Sequence, residues 1–202
     1  MTSSTPGSIP VADACPWVAF LDESGSDSRR DPGAYIVSAV VLDAANVEEV
    51  REAMTALRLP GQRKLHWRDE DDGRRLIIVK TLSELPIEHY VAVHDGHADE
   101  PSERRRRLAM ERLLFELDQM GATEVIMESR GPKDDRRDRN HLDQLRAAQA
   151  VGSAVRMDHA KGPVEPGLWA ADATCGAMVR DRVGDPTYRA VLEAKLTVYQ
   201  TR

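Results

Sequence analysis

Compact apolar runs alternate along the chain with segments whose apolar residues recur at three and four residues, and these two periods separate strands from amphipathic helices. Trp17-Val18-Ala19-Phe20-Leu21 is apolar and breaks at Asp22-Glu23-Ser24-Gly25-Ser26, which predicts a buried strand ending in a turn. Ala34 to Leu42 is β-branched and apolar, and the loop before it is short enough to make the two runs an antiparallel hairpin. Val47, Val50, Met54 and Leu57 repeat at helical spacing behind Asn46, a capping residue type, so a helix is expected over 46–57. A second helix is expected over 70–85. Between them, Pro60 to Arg68 reads as a loop carrying Lys64, His66 and an exposed Trp67, and loops of this kind supply ligand contacts.

Ile87 to Val93 predicts a third strand and Ser102 to Met120 a long helix stopped by Gly121. Thr123 to Glu128 predicts a fourth strand, followed by a charged loop to Arg139, a helix over 140–151 and a short fifth strand from Ala154 to His159. A helix then runs from Leu168 to about Arg182, while the spacing in Tyr188 to Tyr199 fits helix or strand equally. This order describes an α/β fold. Its mixed sheet has five strands, the second antiparallel, with helices on the faces and a helical insertion after the second strand. No internal repeat is present. Residues 1–15 read as a flexible leader and 16–202 as one domain.

With 41% hydrophobic and 31% charged residues, the composition excludes a wholly disordered chain. A net charge of −6 argues against binding nucleic acid by overall positive potential. Two basic clusters, Arg104 to Arg107 and Lys133 to Arg139, are either phosphate contacts or solvated faces. Cys15 and Cys175 stand alone, without zinc or disulfide spacing. Met1 to Pro10 lacks the features of a signal peptide, and no apolar run approaches the roughly 20 residues of a membrane span, so a cytoplasmic protein with no membrane partner is expected.

The candidate chemistry lies in carboxylates. Asp22 and Glu128 each close an apolar strand, at the edge where open α/β sheets hold ligands. Two such groups side by side repel unless a proton or cation sits between them, and Mg²⁺ or Mn²⁺ suits oxygen donors. Asp172 lies in the nearly uncharged window Leu168 to Met178, where a lone carboxylate needs a metal or a partner. Glu23 is a further candidate ligand through the turn. Asp22 is also ordinary turn chemistry, and Asp172 has the alternatives of a cap or an arginine pair. His159, at the fifth strand's end, is a candidate general base or an ordinary strand-end histidine. Lys64, His66 and Trp67 are candidate substrate contacts, Trp67 by stacking on a base or else by packing its loop onto the sheet. No nucleophile elbow, phosphate-binding loop or dinucleotide fingerprint is present.

Phe20-Leu21-Asp22-Glu23-Ser24-Gly25 resembles the "IDESG" opening of the domain-of-unknown-function family numbered 3800. Lys64-Leu65-His66 is similar to that family's lysine segment after the first helix, and Trp169-Ala170-Ala171-Asp172 to its Ile-Ala-Asp helix. The resemblance covers most of residues 17 to 182. It implies a ribonuclease H-like fold with Asp22, Glu128 and Asp172 at its active edge and a suspected nuclease-type site. Two functions are expected from this: a divalent-metal-dependent nuclease or phosphodiesterase acting on DNA or RNA, or a non-catalytic nucleic-acid-binding or regulatory module on the same scaffold, with a homodimer as the expected assembly.

Overall fold

The computed structural model describes residues 16–201, so the leader, with Cys15, lies outside the described residues. Its strands are β1 (Trp17–Ser24), β2 (Ala34–Asp43), β3 (Glu88–Asp95), β4 (Ala122–Glu128), β5 (Arg156–Ala160) and β6 (Leu196–Gln200). Its α-helices are α1 (Val47–Ala56), α2 (Asp72–Glu84), α3 (Ser102–Gln119), α4 (Pro132–Ala147), α5 (Gly167–Arg182) and α6 (Thr187–Leu192). One sheet runs in the order β5-β4-β1-β2-β3-β6. Only β2 is antiparallel to its neighbours; β1 with β4, β4 with β5 and β3 with β6 pair parallel. The mixed α/β architecture, its antiparallel second strand and the helical insertion after it are as the periodicity predicts.

Helices cover both faces, which is why β2 is apolar along nearly its whole length. One core joins Phe20, Val40 and Leu42 to α1, α2 and α5; the other joins Leu21, Val41 and Met127 to α3 and α4. Strand alternation then sends Asp22 toward the α5 face and Glu23 toward the α3 face. That division decides what each residue does.

The sheet has six strands rather than five. Tyr188 to Tyr199 holds α6, a 3₁₀ turn and then β6, two short elements whose periods blur into one ambiguous signal. The charged stretch Lys133 to Arg139 is helix, not loop. Pro132 stands in its first turn after Gly131 at φ 105°, and Asp134 and Asp135 favour its N-terminus. Its buried stripe is Asp135, Asp138, His141, Leu142 and Leu145, so most of the inward positions are polar and the apolar period is hidden. Trp67 is only 6% exposed, because Gly176 of α5 leaves room for its ring: a Cβ there would lie 2.1 Å from Trp67 Cδ1. Among the described residues, no helix is long and apolar enough to cross a membrane.

Candidate active site

β1 and β4 are parallel neighbours whose register pairs Leu21 with Met127, so the next residues, Asp22 and Glu128, project side by side from the carboxyl ends of the strands. α5 crosses the same face. It is fixed there by Ser38 of β2, whose hydroxyl donates to the Ala171 carbonyl at 2.9 Å, and the next residue is Asp172. Asp22, Glu128 and Asp172 all line one cavity of about 350 Å³, with His66, Trp67 and Arg68 on its rim. The three acidic positions singled out in the sequence are therefore brought together.

Their partners differ. The Glu128 carboxylate receives Lys64 Nζ at 2.9 and 3.1 Å. Asp172 Oδ2 accepts the Trp67 backbone N–H at 2.8 Å and lies 2.9 Å from His66 Nδ1. That contact with Asp172 raises the His66 pKa against the opposing effect of burial. No side chain among the described residues donates to the Asp22 carboxylate. Burial first, then the negative charges of Asp172 and Glu128, push its pKa well above the ordinary carboxylate range, opposed only in part by the Glu23 backbone N–H. Gly162 supplies space beside Glu128: a Cβ there would come within 2.3 Å of the Glu128 Oε1.

The loop from Lys64 to Arg68 contributes charge and a backbone donor to the cavity, while its tryptophan is held by packing. The Trp67 ring lies edge-on to Tyr188, with centroids 5.1 Å apart, and the Arg75 guanidinium covers it at 5.4 Å. These contacts pack Trp67 against α2, α5 and α6, as in the reading in which it holds its loop onto the fold.

Glu23 and His159 are corrections to the expected site. Both Glu23 oxygens accept from Arg106 Nε, at 2.8 and 2.7 Å, on the α3 face, and Tyr35 adds a hydroxyl donor at 3.2 Å. The carboxylate is thus already paired with a guanidinium, although Glu23 also lines the cavity that holds Asp22. His159 pairs in register with Met127 and shares its face, so it meets Asp138 at 3.3 Å rather than Asp172. Arg106 also grips Asp138 at 2.7 and 3.0 Å. Burial works to raise Asp138, but hydrogen bonds from His159 and Arg106 outweigh it and hold the carboxylate well below its ordinary range.

Arg68 was missed. It lines the cavity, is exposed and has no side-chain partner among the described residues; its only sequence signal is that it follows Lys64 to Trp67 directly. Among the described residues no three His, Cys, Asp or Glu side chains stand close enough to share a metal ion. The donor chemistry nonetheless suits a hard cation, since the carboxylates of Asp22, Glu128 and Asp172 line one cavity and Asp22 lacks any counter-charge of its own.

No family model and no curated protein matches the chain, so the resemblance to the family numbered 3800 stands on its short motifs alone. Solved structures do match. The chain is similar to Bst-RNase HIII in complex with Mn²⁺ at 16% identity and a TM-score of 0.54, over 90% of this chain and 59% of that one. A point mutant of Bst-RNase HIII matches at 15% identity and a TM-score of 0.53 over the same shares. The RNase HII of a PCNA complex from Archaeoglobus fulgidus matches at 13% identity and a TM-score of 0.51, over 82% of this chain and 72% of that one. The fold is ribonuclease H-like. The chain spans about 59% of the length of the two RNase HIII structures.

Proposed function

We propose that this protein is a divalent-metal-dependent nuclease that hydrolyses phosphodiester bonds in DNA or RNA. The observation that carries the reading is Asp22, a carboxylate without a counter-charge, set beside Asp172 and Glu128 at the carboxyl edge of the sheet. Its support includes structural neighbours named as ribonucleases, one of them determined with Mn²⁺. Asp22, Asp172 and Glu128 would hold Mg²⁺ or Mn²⁺, which when bound supplies an activated water and offsets charge on the leaving oxygen.

The chain's own residues complete the reading. His66 and the Trp67 N–H orient Asp172. Lys64, paired with Glu128, stands where a phosphate oxygen would compete for its ammonium group, and Arg68 offers a planar donor set at the cavity rim. We place this activity in the cytoplasm, where a buried free thiol such as Cys175 stays reduced.

The test is cleavage of labelled single-stranded, duplex and RNA/DNA hybrid oligonucleotides with Mn²⁺ or Mg²⁺. Asp22→Asn and Asp172→Asn should each lower the rate on the order of a thousandfold while circular dichroism stays unchanged. Cleavage at the parental rate by either variant overturns the assignment. One observation favours a second reading, a binding module without catalysis: Lys64 and His66 already stand against Glu128 and Asp172 in the place of a cation. That reading predicts no Mn²⁺ binding heat by calorimetry and no cleavage of any of the three substrates.

A further inference from the structure

The two basic clusters of the sequence find a purpose on the far side of the strand tips. α3 and α4 flank a cleft of about 510 Å³ lined by Arg106, Arg107, Arg137 and His141, with Glu103 and Asp138 as its acidic members. Three guanidinium groups face two carboxylates there. Asp138 is already consumed by Arg106, and Glu103 lies 3.6 Å from the same guanidinium, so Arg107 and Arg137 carry the charge left over. Each is exposed and only weakly engaged, Arg107 with the Gln144 side chain at 3.2 Å and Arg137 with Asp134 at 2.8 Å.

A buried, unpartnered group points to a ligand in this cleft. His141 is 5% exposed, its buried Nδ1 has no hydrogen-bond partner, and the residue lines the cleft. An unmade hydrogen bond at a buried ring nitrogen is costly, and an incoming oxygen would relieve it. Arg130 links the cleft to the neighbourhood of the carboxylate cavity. A shallow depression of about 300 Å³ over the tips of β1 and β4 is lined by Asp22, Glu23, Glu128, Ser129 and Arg130. Arg130, exposed, lies 3.3 Å from Asp138 and 4.0 Å from Glu103, both lining the cleft. Three concavities thus follow one another from Asp22 to His141, and the side beyond the carboxylates is basic.

We infer that the α3–α4 cleft is a backbone phosphate site for a nucleic-acid strand that passes over the tips of β1 and β4 into the carboxylate cavity. Arg107 and Arg137 hold a non-bridging phosphate oxygen each, and His141 closes the site from below. The remaining exposed basic groups of α4, Lys133, Arg136 and Arg139, widen the positive surface along the same helix. This deepens the nuclease reading by naming where its substrate is gripped away from the scissile bond, and it shows how a chain of net charge −6 can still hold a polyanion: the positive charge is local.

The experiment measures fluorescence anisotropy of a fluorescein-labelled 20-nucleotide strand and of the corresponding hybrid, with EDTA present so that binding is read without cleavage. Arg107→Ala/Arg137→Ala should weaken binding on the order of tenfold and lower the slope of log affinity against log salt by about two. A charge-matched control, Lys80→Ala/Arg156→Ala, removes exposed charges elsewhere and should keep the parental affinity. Equal losses in the two double variants, or no loss in the first, overturn the proposal. In a second arm, the His141 ring resonances are followed by NMR while the strand or inorganic phosphate is added. Perturbation by the strand at micromolar concentration supports the site; a response to inorganic phosphate that the strand does not displace assigns the cleft to a small anion and overturns it. Loss of cleavage in Asp22→Asn judges the nuclease reading separately, because that variant keeps Arg107, Arg137 and His141.

Discussion

Asp22 and Glu23 are consecutive residues at the tip of β1, and the pleat of the strand sends them to opposite faces of the sheet. On the α3 face Glu23 meets a guanidinium that is only 2% exposed and that also satisfies Asp138, so Glu23, Arg106 and Asp138 each have an opposite charge within hydrogen-bond reach. On the α5 face Asp22 meets two more carboxylates and no cation of its own. The same chemical group is a strut in one layer and an unsatisfied charge in the other. A carboxylate is informative about function only once its partners are known, and sequence neighbours need share none of them.

The most severe way to break the contrast is Arg106→Leu. It leaves Glu23 and Asp138 buried without compensation and should cost about 3–5 kcal/mol in urea unfolding. The adjacent pair then gives opposite signs: Glu23→Gln, which strips the charge from a satisfied contact, should lose about 1–3 kcal/mol. Asp22→Asn, which removes repulsion, should gain stability in EDTA at pH 7.5. A loss in Asp22→Asn as large as in Glu23→Gln would mean that the two faces are alike.

Acid separates the layers in a different way. His89 of β3, wholly buried beside Thr174 of α5, is pushed down to about 4 by burial and then by the Lys195 charge. Its folded pKa is below the unfolded value near 6.5, so its contribution is complete above pH 6.5 and is lost as the pH falls toward 4. At pH 5 the loss is about 2 kcal/mol, and His89→Gln should remove it from a comparison of urea midpoints at pH 7.5 and 5. Asp138 behaves in the other order: held low when folded, it contributes above its unfolded value of 3.8 and loses that contribution only as the pH falls below it. The smallest effect is expected for Lys64→Met. Its pair with Glu128 is about one third exposed, at 28% and 33%, so stability should change by less than about 1 kcal/mol while calorimetry shows tighter Mn²⁺ binding. Weaker Mn²⁺ binding in that variant would show that Lys64 supports the cation site instead of competing with it.

Much of this architecture is written in local pattern. The runs at Trp17 to Leu21, Ala34 to Leu42 and Thr123 to Met127 mark strands because a sheet covered on both faces buries most of their residues. Asp172 stands out because a charge inside an apolar helix needs a reason. Even the divergence of Asp22 from Glu23 follows from strand alternation, once Phe20 and Leu21 are assigned to different cores. The first half of α4 escaped because its inward positions there are Asp135 and Asp138, whose burial is tolerated only through partners such as Arg106 and Ser129 on other elements. β6 escaped because its pairing with β3 joins residues about a hundred positions apart.

The sequence alone determined the order of strands and helices, the antiparallel second strand and three acidic positions worth joining, since each depends on spacing within a few residues or on a charge in apolar surroundings. Tertiary structure alone decided which charges are spent. The same polar side chain is inert or reactive according to what packs against it, and Arg106 for Glu23, Lys64 for Glu128 and no counter-charge for Asp22 are brought to those places by distant parts of the chain.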